Sequence, residues 1–314
     1  MTDFLHNHKS FNDLLLILEG EKRIVPGLLE KDYWIMHVLF GLKNAGLSFE
    51  LKGGTSLSKG LGIINRFSED IDIRINPPAE LKVNETGTKD SAVKSRFSFY
   101  DWLADNLKID GIVKVERDHD FDSPNGKSGG IRLYYNPVTD IVEDLKPGIL
   151  LEAGFDQVSP NEPVDISSWA LDKAKATSDI GFIDNTAKDI PCYDMRYTFV
   201  EKLQTIVTKF RQEMADGKER KNYMRQYYDV YCLLQEKAVQ EFLGTDEYLT
   251  HKDKRFPKID KSTEIQHNEA FLLSSDETKS AFKKRYNATS SLYYQGQPDF
   301  DKVIEGIRKY LPMM

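Results

Sequence analysis

Asp70 and Asp72 stand two residues apart in Ser68-Glu69-Asp70-Ile71-Asp72-Ile73, and Asp70 lies fifteen positions beyond Thr55 of Lys52-Gly53-Gly54-Thr55-Ser56. On a strand, side chains at i and i+2 share a face, so both carboxylates project together while Ile71 and Ile73 enter a core. Carboxylates one strand-step apart raise each other's pKa and repel unless a cation lies between them. Mg²⁺ suits that position, since it takes oxygen ligands, usually one or two carboxylates plus substrate phosphates. The Gly53-Gly54 turn complements the pair. Without Cβ atoms its backbone can approach a phosphate closely, and N–H groups at a helix start favour an anion. Asp-x-Asp alone would read as a solvated strand edge; its coupling to Gly-Gly-Thr favours chemistry. Arg74 shares the face, as a phosphate contact or a salt bridge, while Glu69 points away and reads as a surface charge. Glu152 interrupts the apolar run Ile149-Leu150-Leu151-Glu152-Ala153-Gly154. Burying a lone Glu is costly unless it is paired or metal-bound. Beside the Asp70/Asp72 strand it would complete a three-carboxylate cluster for two-metal phosphoryl transfer; otherwise it is a strand-end acid in solvent.

These residues need elements to hold them. Ile35, Val38, Leu39 and Leu42 recur at helical spacing, which predicts a helix over 28–46 stopped near Gly46. A strand, Phe49 to Lys52, runs into the Gly-Gly turn, and Thr55 or Ser56 would cap a helix through about Ile64. A second strand covers Glu69 to Ile75, ended by Pro77-Pro78. Residues 79–92 read as loop, and a helix bearing Phe97, Tyr100, Leu103 and Leu107 follows. The stretch 111–195 is strand-like, with β-rich runs at Ile112–Val115, Gly130–Tyr135 and Gly148–Phe155. From about 196, Phe199, Leu203, Ile206, Val207 and Phe210 form a helical stripe, and another helix covers 221–237. No internal repeat is visible. The expected fold is α+β: an α/β lobe with a mixed sheet over 1–195, then a helical lobe over 196–314.

The 314 residues suffice for two domains with a sizeable core. Hydrophobic residues at 40% and charged residues at 30% exclude collagen-like and wholly disordered chains. No apolar run approaches the 18 residues of a membrane span, and no secretory signal opens the chain, so the protein is expected to be soluble and cytoplasmic. Cys192 and Cys232 make neither a disulfide framework nor a zinc spacing. The net charge of −7 hides an asymmetry: residues 1–195 hold 22 Lys+Arg against 32 Asp+Glu, and residues 196–314 hold 21 against 18. An acidic half joined to a mildly basic one suits an enzyme holding metal ions in one lobe and a polyanion on the other, although surface charge also simply varies between lobes.

Gly53-Gly54-Thr55-Ser56-Leu57 followed by Arg66-Phe67-Ser68-Glu69-Asp70-Ile71-Asp72 resembles the AbiEii/MenT nucleotidyltransferase family, a branch of the DNA polymerase β-like superfamily. Glu30-Lys31-Asp32-Tyr33-Trp34 looks like its upstream signature, Phe199-Val200-Glu201-Lys202-Leu203 like its lysine motif, and Arg225-Gln226-Tyr227-Tyr228-Asp229-Val230-Tyr231 like its late Tyr-Asp motif. The likeness spans about 28–235. Ser56 departs from the Ala of many members, and the tail after 240 matches nothing.

The resemblance implies a polymerase-β-like nucleotidyltransferase lobe and a toxin of bacterial toxin–antitoxin and abortive-infection (phage-defence) systems. Asp70, Asp72, Lys202 and Asp229 would be catalytic. Asp70, Asp72 and Glu152 would hold Mg²⁺, with Mn²⁺ as the alternative. Gly53, Gly54, Thr55, Ser56, Lys59 and Lys202 would bind the nucleoside triphosphate. The acceptor would be RNA, the 3′ end of transfer RNA, and the partner a separately encoded antitoxin. Read from the residues alone, Lys202 is a solvated helix lysine and Asp229 an i, i+4 partner of Arg225. The 202–225 window holds seven Lys+Arg against three acids, 252–261 holds five against two, and Lys283-Lys284-Arg285 has Tyr286, Tyr293 and Tyr294 nearby for stacking. That suits an RNA-binding lobe. Alternatives are a nucleotide-binding (GTP) module without transfer, or transfer to a protein or small-molecule hydroxyl. Asn125-Gly126-Lys127-Ser128 lacks the first glycine of a phosphate loop and reads as a turn. His6 and His8 read as an isolated pair at a mobile terminus.

Overall fold

The structure, a computed structural model, describes residues 2–140, 145–177 and 181–314. The chain forms two compact units. The first comprises Met1–Leu61 and Phe67–Tyr193; the second comprises Gly62–Arg66 and Asp194–Met314.

The first unit is built on a seven-stranded mixed sheet. Its strands are β1 (Ser48–Lys52), β2 (Asp70–Asn76), β3 (Ile112–Asp118), β4 (Ser128–Tyr135), β5 (Ile149–Gly154), β6 (Asn161–Ile166) and β7 (Ala187–Tyr193). They lie in the order β3-β4-β5-β2-β1-β7-β6. β2 is central, antiparallel to β1 and parallel to β5. Its alternation buries Ile71, Ile73 and Ile75 and leaves Asp70, Asp72 and Arg74 half-buried on the other face.

Helices α1 (Phe11–Lys22), α2 (Pro26–Asn44), α4 (Asp90–Asn106) and α5 (Trp169–Thr177) accompany the sheet. α2 starts with proline at its first turn, where a missing N–H costs nothing. The Ile35, Val38, Leu39 and Leu42 stripe is buried, but so are Glu30, Lys31, Asp32 and His37. A helix buried this fully must pair its charges. Helix α5 falls inside the stretch read as strands. Its buried face is small, only Ala170, Leu171 and Ala174, which leaves little periodicity to detect. The segment around His6 is packed onto α2, contrary to expectation. His6 bonds to Tyr33 Oη at 2.9 Å and Asp110 Oδ1 at 3.0 Å, and its ring packs against Trp34 and His37 of α2.

The second unit is helical: α6 (Met195–Asp216), α7 (Met224–Leu233), α8 (Lys237–Phe242), α9 (Asp246–Arg255), α10 (Glu269–Leu272), α11 (Asp276–Asn287) and α12 (Phe300–Arg308). Phe199, Leu203, Ile206 and Val207 of α6 are buried as their spacing requires. The segment Gly62–Arg66 belongs here although it lies far away in sequence. Tyr228 Oη receives the Asn65 N–H at 3.1 Å, Tyr294 Oη donates to the Ile64 carbonyl at 3.1 Å, and Arg66 grips Asp229 through Nε at 2.7 Å and Nη2 at 2.6 Å.

Asp229 is fully buried and faces two cations, Arg66 and Lys202. Removing one partner of such a group leaves an uncompensated charge, at a cost of about 3–5 kcal/mol. Asp229→Ala is therefore expected to lower the urea midpoint sharply, and a midpoint unchanged from wild type would refute the linkage.

Candidate active site

The Gly-Gly turn joins β1 directly to a helical stretch, α3 (Gly53–Thr55), which widens into a π-helical turn over Ser56–Gly60. The helix thus begins earlier than the capping residues suggested and stops before Ile64. Thr55 and Ser56 lie inside it, fully buried. Thr55 Oγ1 donates to the Asp70 carbonyl at 2.5 Å, and Ser56 Oγ donates to the Gly53 carbonyl at 3.0 Å. These protons brace the turn itself, and the backbone of Gly53-Gly54 remains the turn's own means of meeting a phosphate.

Gly53 has φ +74°, and a Cβ built there would collide with the Asp72 carboxylate. Glycine is required for both reasons. The Thr55–Asp70 bond and the Gly53–Asp72 approach lock the turn onto the two-carboxylate strand.

Glu152 lies on the neighbouring strand in register with Asp72, while Lys52 flanks Asp72 on the other side. Burial pushes the Glu152 carboxyl up to about 8, reinforced by the charges of Asp72 and Asp70 and opposed by Lys146 and Lys52. Burial likewise raises Asp70, with Lys146 the strongest opposing cation. Carboxylates crowded on one face suit a hard divalent cation held by two carboxylates and substrate phosphates. Among the described residues no three His, Cys, Asp or Glu side chains gather into a metal-holding group. Asp70 and Asp72 on one face, with Glu152 in register beside Asp72, are the residues that would hold such a cation.

The upstream signature forms the scaffold below this face. Lys31 Nζ donates to the Lys146 carbonyl at 2.7 Å and stands 3.8 Å from Glu69. Glu69 is thus an internal partner, not the surface charge expected. Asp32 accepts the Trp169 N–H and pairs with Lys59 at 2.7 Å, and Lys59 also lies over the Trp169 ring. Lys59 consequently serves a buried acid in this structure, whatever it offers a nucleotide. Glu30 accepts the N–H groups of Val138 and Thr139. Arg74 is engaged by Glu50 and Glu85 as a salt-bridge residue. Asn125–Ser128 forms a turn whose Lys127 ammonium donates to the Glu85 carbonyl.

Lys202 and Asp229 belong to the second unit. The Lys202 side chain is 12% exposed and its Nζ lies 2.9 Å from Asp229 Oδ2. Arg66 and Lys202 hold the Asp229 carboxyl below the usual range despite complete burial. With both oxygens occupied, Asp229 is built to position cations rather than to take a proton. Its pairing with Arg66 and Lys202 is long-range.

The basic windows behave differently from their sequence appearance. Arg211 pairs with Asp260, Arg220 with Asp216, Arg255 with Glu201, Lys261 with Asp253, Lys283 with Asp299 and Asp301, and Arg285 with Glu213. Tyr286 and Tyr293 are buried, Tyr286 against Phe300 and Tyr293 against Tyr228, so neither is available for stacking bases. Runs of Lys and Arg in sequence do not reveal the acids that folding brings to them.

Two residues escaped sequence reasoning. Arg66 was visible only as part of a motif, and its distance from Asp229 hid the pair. Lys146 carries no local signal at all, because only the β2–β5 pairing brings it to the carboxylates.

A family model described as nucleotidyl transferase AbiEii toxin, Type IV TA system, matches residues 37–306. The match covers most of the chain, which therefore belongs to this family. Among curated proteins, none matches the chain. No helix among the described residues is long and apolar enough to cross a membrane.

The raised Glu152 carboxyl has a measurable consequence. An acid whose native pKa exceeds its unfolded value, here about 8 against 4.5, holds its proton better in the folded state. Its contribution to stability thus declines as pH rises from about 4.5 towards 8. In metal-free buffer Tm is expected to fall across that window, and Glu152→Gln should flatten the fall. An equal slope in the variant would show that Glu152 is not the group responsible.

Proposed function

We propose that this member of the AbiEii nucleotidyltransferase toxin family transfers a nucleoside monophosphate from a nucleoside triphosphate to the 3′ end of an RNA, transfer RNA being the acceptor. The observation that carries the reading is the Asp72 carboxylate lying directly over Gly53, with Asp70 on the same face. A phosphate-compatible backbone and a pair of carboxylates are locked within one side chain's reach. A module that only bound a triphosphate would have less use for this crowding.

Asp70 and Asp72 would hold Mg²⁺, or Mn²⁺ in its place, with Glu152 as an adjoining acid. When bound, the metal offsets negative charge on the phosphates and polarises the phosphorus–oxygen bond. The Gly53-Gly54 backbone receives the triphosphate, and Thr55 and Ser56 stiffen the turn that does so. Lys202, oriented by Asp229, supplies the phosphate-binding cation that the family resemblance assigns to it. The acceptor hydroxyl oxygen forms a bond to the α-phosphorus, the bond to the bridging oxygen breaks, and pyrophosphate leaves. The hydroxyl proton passes to solvent. Positioning and charge neutralisation do most of the work in such a displacement. A cognate antitoxin and a cytoplasmic location complete the proposal.

One observation favours a second reading, transfer to a protein or small-molecule hydroxyl: many cations of the second unit are committed to internal acids. A labelling experiment separates the two. Purified chain, Mg²⁺ and each α-³²P nucleoside triphosphate are incubated with total cellular RNA, wild type beside Asp72→Asn. Label is expected in a transfer-RNA-sized band, reduced at least about a hundredfold by the substitution. No labelled RNA from wild type, despite triphosphate binding, would overturn the RNA-acceptor reading.

A further inference from the structure

Across the carboxylate face, Asp72 of β2, Glu152 of β5 and Gly130 of β4 lie in one row. Strands are spaced by about 4.8 Å, so this row leads about 10 Å away from Asp72. It runs opposite to β1 and the Gly53 turn, because β4 and β5 flank β2 on one side and β1 on the other. A Cβ at Gly130 would collide with Phe121 Cβ, which puts that phenylalanine against the row just beyond Glu152. The Lys146 ammonium lies 4.3 Å from the centroid of the same ring.

The backbone presenting Lys146 is fixed by buried cations. Lys31 holds the Lys146 carbonyl, and Arg132 donates to the next carbonyl, Pro147, at 3.2 Å while pairing with Asp118. Gly148 then takes φ +65° against the Leu133 carbonyl, where no side chain fits. Among the described residues, no carboxylate stands within ion-pair distance of the Lys146 ammonium, yet its charge acts on both Asp70 and Glu152. A half-buried lysine on a braced turn, seated on a ring and without an acid partner among the described residues, is suited to an external anion.

In an in-line displacement the entering and leaving oxygens lie on opposite sides of phosphorus. Pyrophosphate held by the Gly53-Gly54 turn departs on the β1 side, so the entering hydroxyl comes from the side of Glu152 and Lys146. We propose that Lys146, seated on Phe121, is the acceptor-side cation, receiving a phosphodiester of the single-stranded RNA end whose hydroxyl attacks. This assignment rests on the functional reading above.

The test reads binding, so it does not depend on turnover. A fluorescein-labelled single-stranded RNA hexamer with a free 3′ hydroxyl is titrated with the full chain, as wild type, Lys146→Gln, Lys146→Arg and Lys188→Gln. Lys188 is an exposed lysine paired with Asp165 and controls for the lost charge. Lys146→Gln should weaken RNA binding about tenfold and reduce the slope of log K against log[salt] by about one. Lys146→Arg and Lys188→Gln should stay within about twofold of wild type, and triphosphate affinity should be unchanged in every variant. Unchanged RNA binding by Lys146→Gln, or a loss confined to triphosphate binding, would overturn the proposal. Failure of the functional reading appears separately, as absent labelling by wild type.

Discussion

Carboxylates of like charge on a half-buried sheet face repel one another, and burial strengthens the repulsion. Asp70, Asp72 and Glu152 are arranged in this way at the centre of the sheet, and much of the first unit serves to hold them there. The Ile71, Ile73 and Ile75 side of β2 is buried completely, which prevents the strand from turning its acids elsewhere. A one-residue slip would exchange the isoleucines with the acids, so the core enforces the register. Thr55 and Gly53 fasten the turn to the same strand. The charges of Lys146 and Lys52 oppose the crowding at Glu152. Clustered carboxylates favour a cation among them, which a divalent metal ion would supply.

Helix α2 shows how such a face is supported. Its second turn carries three successive charged residues that are buried, and each would be costly there without a partner. Each is answered by a different part of the unit: Glu30 by the backbone at 138–139, Lys31 by the turn before β5, and Asp32 by Lys59 and the start of α5. One turn of helix thereby fixes the entry to β5, the segment after the Gly-Gly turn and the first residue of α5. The motif Glu-Lys-Asp reads as positioning machinery.

The second unit uses the same device on a smaller scale. Arg66 and Lys202 meet over Asp229, two cations around one acid with nearly no solvent. The arrangement leaves one net positive charge and ties Gly62–Arg66 to α6 and α7. It also explains why Asp229 reads poorly as a proton acceptor: its charge is already committed twice. Elsewhere in this unit Arg255, Lys283 and Arg285 pair with acids drawn from other helices, and Tyr286 and Tyr293 fill its core.

Patterns with short periods were legible in the sequence. Alternation placed the two aspartates on one strand face, helical spacing located α2 and α6, and the Gly-Gly turn before an Asp-x-Asp strand indicated phosphoryl chemistry. Those features depend on neighbours within a few residues, where backbone geometry alone decides which side chains face together. Long-range pairing was decided by the tertiary structure: Glu152 beside Asp72 across the sheet, the charge of Lys146 acting on Asp70 and Glu152, Asp32 with Lys59, Arg66 with Asp229. So were the roles of the basic windows and of Tyr286 and Tyr293, and the order of the N-terminal segment around His6. Each of these rests on a contact between residues far apart in the chain, and whether a charge is free, paired or buried depends on what the rest of the fold brings to it.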